Sequence, residues 1–249
     1  AEITNSISGL RVPRDTCIQA VVEAANSPGF VQISGMPGAG KSVVLRSAVE
    51  QLAASGTVLF LKSDRLRGST WAQYAAASGI THSNLEELLV ELSASSSSVL
   101  FVDGIDRVEV EHRGVLLDLL NTIHSSQLLT GWCVLATVRE TGMEPLRTWL
   151  PAHLFSGGVR TLTIDSFNDE EAETLSLAKP ALRPLLFGSD SVRAVVRRPF
   201  FAAILAKEVD ASIAPATSEV DLASLWWKRG GYSADPARVG YRQNALVQL

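Results

Sequence analysis

The order of elements along the chain predicts an α/β fold: a five-stranded parallel sheet flanked by helices, followed by a small all-helical domain. Three observations carry this. Five short apolar runs alternate with segments of helical periodicity up to residue 164. Strands separated by helices are joined by crossovers, which makes the sheet parallel and covers both of its faces. A glycine-rich turn, Gly35-Met36-Pro37-Gly38-Ala39-Gly40-Lys41-Ser42, stands between the first run and the helix after it. Beyond Asp165 the strand signal disappears and helical patterns remain. A boundary is therefore expected near residue 165, with one domain over 1–165 and a helical lid domain over 166–249.

A first helix is expected over about 15–26, entered through Val12-Pro13-Arg14. The first strand, 30–34, leads into the glycine turn. The helix after it, 42–52, has apolar residues three and four apart. Gly56 ends that helix before a second strand at 57–62. Helical stretches near 69–77 and 84–93 precede a third strand, Val99-Leu100-Phe101-Val102. A long amphipathic helix is predicted over about 108–124, with Val115, Leu116, Leu119, Leu120 and Ile123 on its apolar side. Gly114 lies inside it and weakens it. Strands at 133–138 and 159–164 complete the sheet. Helical patterns at 168–177, 191–196, 199–209 and 218–228 make up the second domain, and 243–249 also reads as helix.

The 249 residues suffice for one large or two small domains. A net charge of −4 and a pI near 5.6 lack the basic excess of a dedicated nucleic-acid surface. The arginine groups Arg193, Arg197, Arg198 and Arg238, Arg242 read as solvated helix faces. Cys17 and Cys133 have no metal or redox spacing, and the four histidines have no ligand spacing. Cys133 sits in an apolar run, where a buried thiol is expected. There is neither a membrane-length apolar run nor a secretory signal, so a cytoplasmic setting is expected. The start at Ala1 without Met and the end inside a helical pattern lead us to expect a piece of a longer protein.

The glycine turn fits G-x-x-x-x-G-K-[ST], the phosphate-binding loop, in its required strand–loop–helix setting. Glycines let backbone N–H groups converge on phosphates, and the helix N-terminus adds positive potential. The binding set is Gly35, Pro37, Gly38, Ala39, Gly40, Lys41, Ser42 and Val43. Lys41 would reach the β- and γ-phosphates and the Ser42 hydroxyl would bind Mg2+. The bound group is then ATP or ADP with Mg2+. The guanine-reading N/T-K-x-D pattern is not found after the fourth strand, which favours adenine.

Such a loop needs a metal-side carboxylate at the end of another strand, and Asp103 after 99–102 supplies one. A turn or helix-cap role is the other reading of Asp103. Many ATPases place Glu next, to polarise the attacking water; here Gly104-Ile105-Asp106-Arg107 follows. Asp106 could orient water or Mg2+, or cap the following helix. A missing base slows hydrolysis by about 10²–10⁴-fold. The fourth strand is expected between the two motif-bearing strands, with its end beside the γ-phosphate. Thr137 could donate a hydrogen bond there, and Arg139 could place a guanidinium near the terminal phosphate or form a surface ion pair. Pro199, after Arg197-Arg198, could pack against the base or simply start a helix.

Together, residues 35–42, the run Val99 to Asp106 with its Asp-Gly-x-Asp ending, and Thr137-x-Arg139 resemble the STAND class of P-loop ATPases, close to its NACHT branch and bacterial relatives. Pro199 resembles the class's G-x-P position, with Arg197 replacing the glycine. Val12-Pro13-Arg14 resembles the segment that abuts the base. Arg107 stands where NACHT proteins carry an acidic residue. The resemblance implies a P-loop NTPase fold of AAA+/STAND type and an ATP/ADP switch with weak Mg-dependent ATPase activity. It also implies self-association into a ring or wheel, and effector and sensor domains in the same full-length chain. In bacteria such proteins serve regulation and anti-phage defence. The alternative is an AAA+ motor or loader acting on DNA or protein, with a trans arginine finger.

Overall fold

The computed structural model describes residues 7, 12–54, 56–81, 84–94, 98–139, 143–156, 158–206 and 220. The predicted helices at 218–228 and 243–249 lie outside these, apart from Val220. Five strands, β1 (Gly29–Ser34), β2 (Thr57–Lys62), β3 (Ser98–Asp103), β4 (Cys133–Thr137) and β5 (Arg160–Thr163), form one parallel sheet in the order β2-β3-β4-β1-β5. The predicted α/β class is the observed one. β4 lies between β3 and β1, so the end of β4 sits beside the ends of both motif-bearing strands.

The three central strands β1, β3 and β4 are buried on both faces, as a covered parallel sheet requires, while the edge strands β2 and β5 are more exposed. On one face Leu100, Val102, Val134 and Ala136 pack with Trp71 of α3 (Trp71–Ala77), Leu89 of α4 (Leu85–Ser93) and Leu116, Leu119 and Leu120 of α5 (Arg113–Ser125). On the other, Val31, Ile33, Val99, Phe101 and Leu135 pack with Ile18 and Val21 of α1 (Asp15–Ala25) and Val44, Leu45 and Ala48 of α2 (Lys41–Ala53). Two short helices, α6 (Met143–Arg147) and α7 (His153–Ser156), lie between β4 and β5. Periodicity does not reveal them because each is under two turns long.

The predicted long helix over 108–124 is shorter than expected. Gly104 is left-handed (φ 75°), residues 105–107 and 110–112 form 3-10 turns, and α5 begins only at Arg113. Val108 and Glu109 are extended between the turns, which interrupts the helical hydrogen-bond ladder. His112 is anchored elsewhere, with Nδ1 2.8 Å from the Gly68 carbonyl oxygen.

Chain contacts divide the molecule into two compact units, one spanning Arg14–Ile164 and one formed by Glu2–Pro13 with Asp165–Leu249. Described helices of the second are α8 (Asp169–Ala178), α9 (Arg183–Leu186), α10 (Asp190–Val196) and α11 (Pro199–Ala206). Ile7 and Val12 pack in this unit's core with Phe167, Leu175, Leu186 and Val196. A capping box of Asn168 and Glu171 starts α8. Arg197, expected on a solvated face, is instead buried. Its guanidinium donates to the Leu186 carbonyl at 2.9 Å and to Asp169 at 2.6 Å. No helix among the described residues is long and apolar enough to cross a membrane.

Candidate nucleotide-binding site

The loop 35–42 leaves β1 and enters α2 through Gly40, which holds φ 88° at the N-cap. A side chain there would be strained in the left-handed region. This turn sets the first amides of α2 at the loop's mouth, where a helix has unpaired N–H groups and positive potential. Gly35, Met36, Pro37, Gly38, Ala39, Lys41 and Ser42 follow one another around it. The Val43 N–H donates within the turn to the Gly40 carbonyl at 3.0 Å. Lys41 folds over the loop, its ammonium donating to the carbonyls of Gly35 at 2.6 Å and Met36 at 3.2 Å. Burial lowers the Lys41 pKa below its ordinary value. Asp106 and Asp103 oppose that shift, while Arg107 and Arg139 reinforce it. These four charged groups therefore share one field with the loop lysine.

Asp103 ends β3 and is 1% exposed. The Ser42 hydroxyl donates to its Oδ1 at 3.0 Å and the Thr137 hydroxyl donates to the same oxygen at 2.7 Å. Thr137 also accepts from the Gly104 amide at 2.6 Å. The Thr137 hydroxyl, expected to donate to a terminal phosphate, gives its one proton to Asp103 in this structure. Asp103 Oδ2 is buried and has no hydrogen-bond partner among the described residues. A buried carboxylate oxygen without a partner is costly. Together with the adjacent Ser42 hydroxyl, a hard oxygen donor, it fits Mg2+ or one of its waters. When bound, Mg2+ neutralises charge on the phosphate oxygens.

Arg139 and Asp106, 33 residues apart in the chain, form an ion pair at 2.6 Å. The pair is lopsided, with the Asp106 side chain 5% exposed and that of Arg139 54% exposed. Asp106 sits in the 3-10 turn 105–107 and caps no described helix, so the expected alternative of a helix N-cap gives way to the ion pair.

Arg14 is a further residue of the site that sequence reasoning assigned only loosely. Buried at the start of α1, it donates from Nη1 to the Ala39 carbonyl of the loop at 2.7 Å. Its signal in the sequence is a cation placed directly before a helix and after a proline. Pro199 lies in the second unit as the first residue of α11. Arg197, at the position where the resemblance calls for glycine, has an ordinary helical conformation (φ −73°, ψ −5°).

Strand order and loop are those of the P-loop NTPase fold. Residues 31–148 match the model of the family described as AAA, the ATPase family associated with various cellular activities. Among solved structures the chain is similar to the Walker-type ATPase PABY2304 of Pyrococcus abyssi, with 12% identity and a TM-score of 0.53, covering 78% of this chain and 66% of that one. A DNA replication initiation factor is also similar, with 15% identity and a TM-score of 0.46, covering 87% and 60%. The chain thus spans less than two thirds of the length of either. No curated protein matches. With 464 solved chains matching, the fold alone selects no activity.

Proposed function

We propose that this chain is the ATP/ADP-binding switch module of a larger STAND-like protein, with slow Mg-dependent ATPase activity and nucleotide-controlled self-association. One observation carries the reading, the ion pair between Asp106 and Arg139. Asp106 is the nearest carboxylate after Asp103, and in this pair its charge is answered by a guanidinium. An occupied carboxylate is a poor base, which supports slow hydrolysis. Arg139 is the exposed partner of the two, and a terminal phosphate is a strong competitor for it. ADP leaves the pair intact, whereas ATP draws Arg139 away. The two nucleotides then favour different arrangements of the turn 105–107, and a switch requires such differential binding. In this reading Lys41 and the loop amides hold the phosphates, and Ser42 and Asp103 hold Mg2+. The second unit is the lid domain of this reading.

The test is the ratio of ATP to ADP affinity, measured by calorimetry, with turnover measured in parallel. We expect ADP to remain bound through purification and turnover to fall far below the ~10 s⁻¹ typical of enzymes. Arg139→Ala should lower ATP affinity about tenfold, a loss of ~1.4 kcal/mol, and leave ADP affinity unchanged. Ordinary enzyme turnover by the monomer, or an unchanged ratio in the variant, would overturn the reading. The match of residues 31–148 to the AAA family favours the second reading, a motor or loader acting on DNA or protein. Stimulation of ATPase activity by DNA or unfolded protein would select it.

A further inference from the structure

We infer that Thr137 is a positioning residue for the magnesium-side carboxylate, acting through Asp103 and not on the nucleotide. The inference rests on the Mg-nucleotide reading above. Three elements meet at Asp103 Oδ1: Ser42 from α2, Asp103 itself from β3, and Thr137 from β4. A carboxylate turns about its terminal bond unless donors fix it. Here both donors converge on Oδ1, so the carboxylate plane is set and Oδ2 is the oxygen left without a partner among the described residues. The Ser42 hydroxyl gives its proton to Asp103 and keeps its lone pairs for a cation.

The Ser42 bond, at 3.0 Å, comes from the loop–helix junction that holds the phosphates in the reading above. Thr137 is independent of that junction. It is 2% exposed, it ends a strand paired with both β1 and β3, and its branched Cβ restricts χ1. Its second bond, from the Gly104 amide, ties the start of the turn 104–107 to the same hydroxyl. One side chain thus registers the metal-side carboxylate and the turn that carries Asp106. Partners behind metal ligands of this kind typically change metal affinity by about 10–100-fold when removed.

The test compares ADP affinity with saturating Mg2+ and in EDTA for the wild type, Thr137→Val and Thr137→Ser. The wild type should bind ADP more tightly with Mg2+ than without. Thr137→Val keeps the shape but loses the proton and the acceptor. It should cut the Mg2+-dependent gain by about 10–100-fold, or abolish it if the gain is smaller, with EDTA affinity at the wild-type level. Thr137→Ser should restore the gain. The EDTA measurement certifies that each variant is folded; if Thr137→Val fails it, the smaller Thr137→Ala is read by the same criterion. A full Mg2+ gain in the hydroxyl-free variant, or no rescue by serine, overturns the role of Thr137 while leaving nucleotide binding intact. A wild type that binds no ADP, or binds it without regard to Mg2+, overturns the parent reading as well.

Discussion

At Asp103 two hydroxyls, from Ser42 and Thr137, meet on one carboxylate oxygen. The residue types at these positions are legible in the sequence, since a phosphate loop and a strand ending in Asp recur in known order. Their bonding is not legible. Thr137 was expected to face phosphate, and which way its single proton points depends on the neighbouring strand. Arg139 and Asp106 are the same case, because each had two open readings and only adjacency of β3 and β4 makes them partners. A second pair shows residue chemistry that spacing hides. His124, near the end of α5, stacks on His153 at the start of α7, with centroids 3.6 Å apart and planes 7° apart. Burial, and then the His124 charge, lower the His153 pKa below its ordinary value of 6.5. The folded state therefore binds this proton less readily than the unfolded chain. Its stability contribution is present above about pH 6.5 and is lost as pH falls below it. Urea midpoints should drop between pH 7.5 and 5.5, and His124→Gln should make that drop shallower.

At the scale of elements, α5 is where periodicity and structure part. The apolar spacing of Val115, Leu116, Leu119 and Leu120 is real, and all four are buried. Its extension back to 108 fails because Gly104 and the two 3-10 turns use the chain for the site instead. Gly114, which weakens the helix by propensity, has a packing reason. A Cβ there would collide with the Ser69 carbonyl oxygen of the segment leading into α3. Asp118, one turn further along α5, accepts the Trp71 amide at 2.8 Å and so joins the two helices a second time. Gly114→Ala should therefore destabilise the protein by about 1–3 kcal/mol by overpacking, although alanine is the better helix former. Chemical denaturation checks this. A neutral or stabilising result would mean that the α3–α5 approach can relax.

For the whole molecule, the two compact units have separate apolar cores, one pair around the sheet and one among the helices beyond Asp165. Ligand that binds only the folded state adds stability by mass action. ADP with Mg2+ at a hundred times its dissociation constant should add about 2.7 kcal/mol, and hydrogen exchange should slow in peptides from 29–62 and 98–139. Lys41→Ala should lose both effects, since the ammonium that closes over the loop would be gone. Stabilisation retained by Lys41→Ala would remove the loop from the binding site. Slowed exchange at 190–206 on ADP binding would support the lid role proposed for the second unit, and unchanged exchange there would count against it.

What the sequence by itself determined is the set of parts: alternating strands and helices, a loop whose glycines admit left-handed backbone, and Asp at a strand end. These are local properties, written in periodicity, backbone freedom and adjacent residues. Only the tertiary structure decided how the parts are wired. It brought Thr137 and Ser42 onto one Asp103 oxygen, turned Asp106 toward Arg139, set Arg14 against Ala39 and buried Arg197. The physical reason is the same in each case. A hydrogen bond or ion pair between residues far apart in the chain is chosen by the strand order and helix packing that bring them together, and no local pattern records that choice.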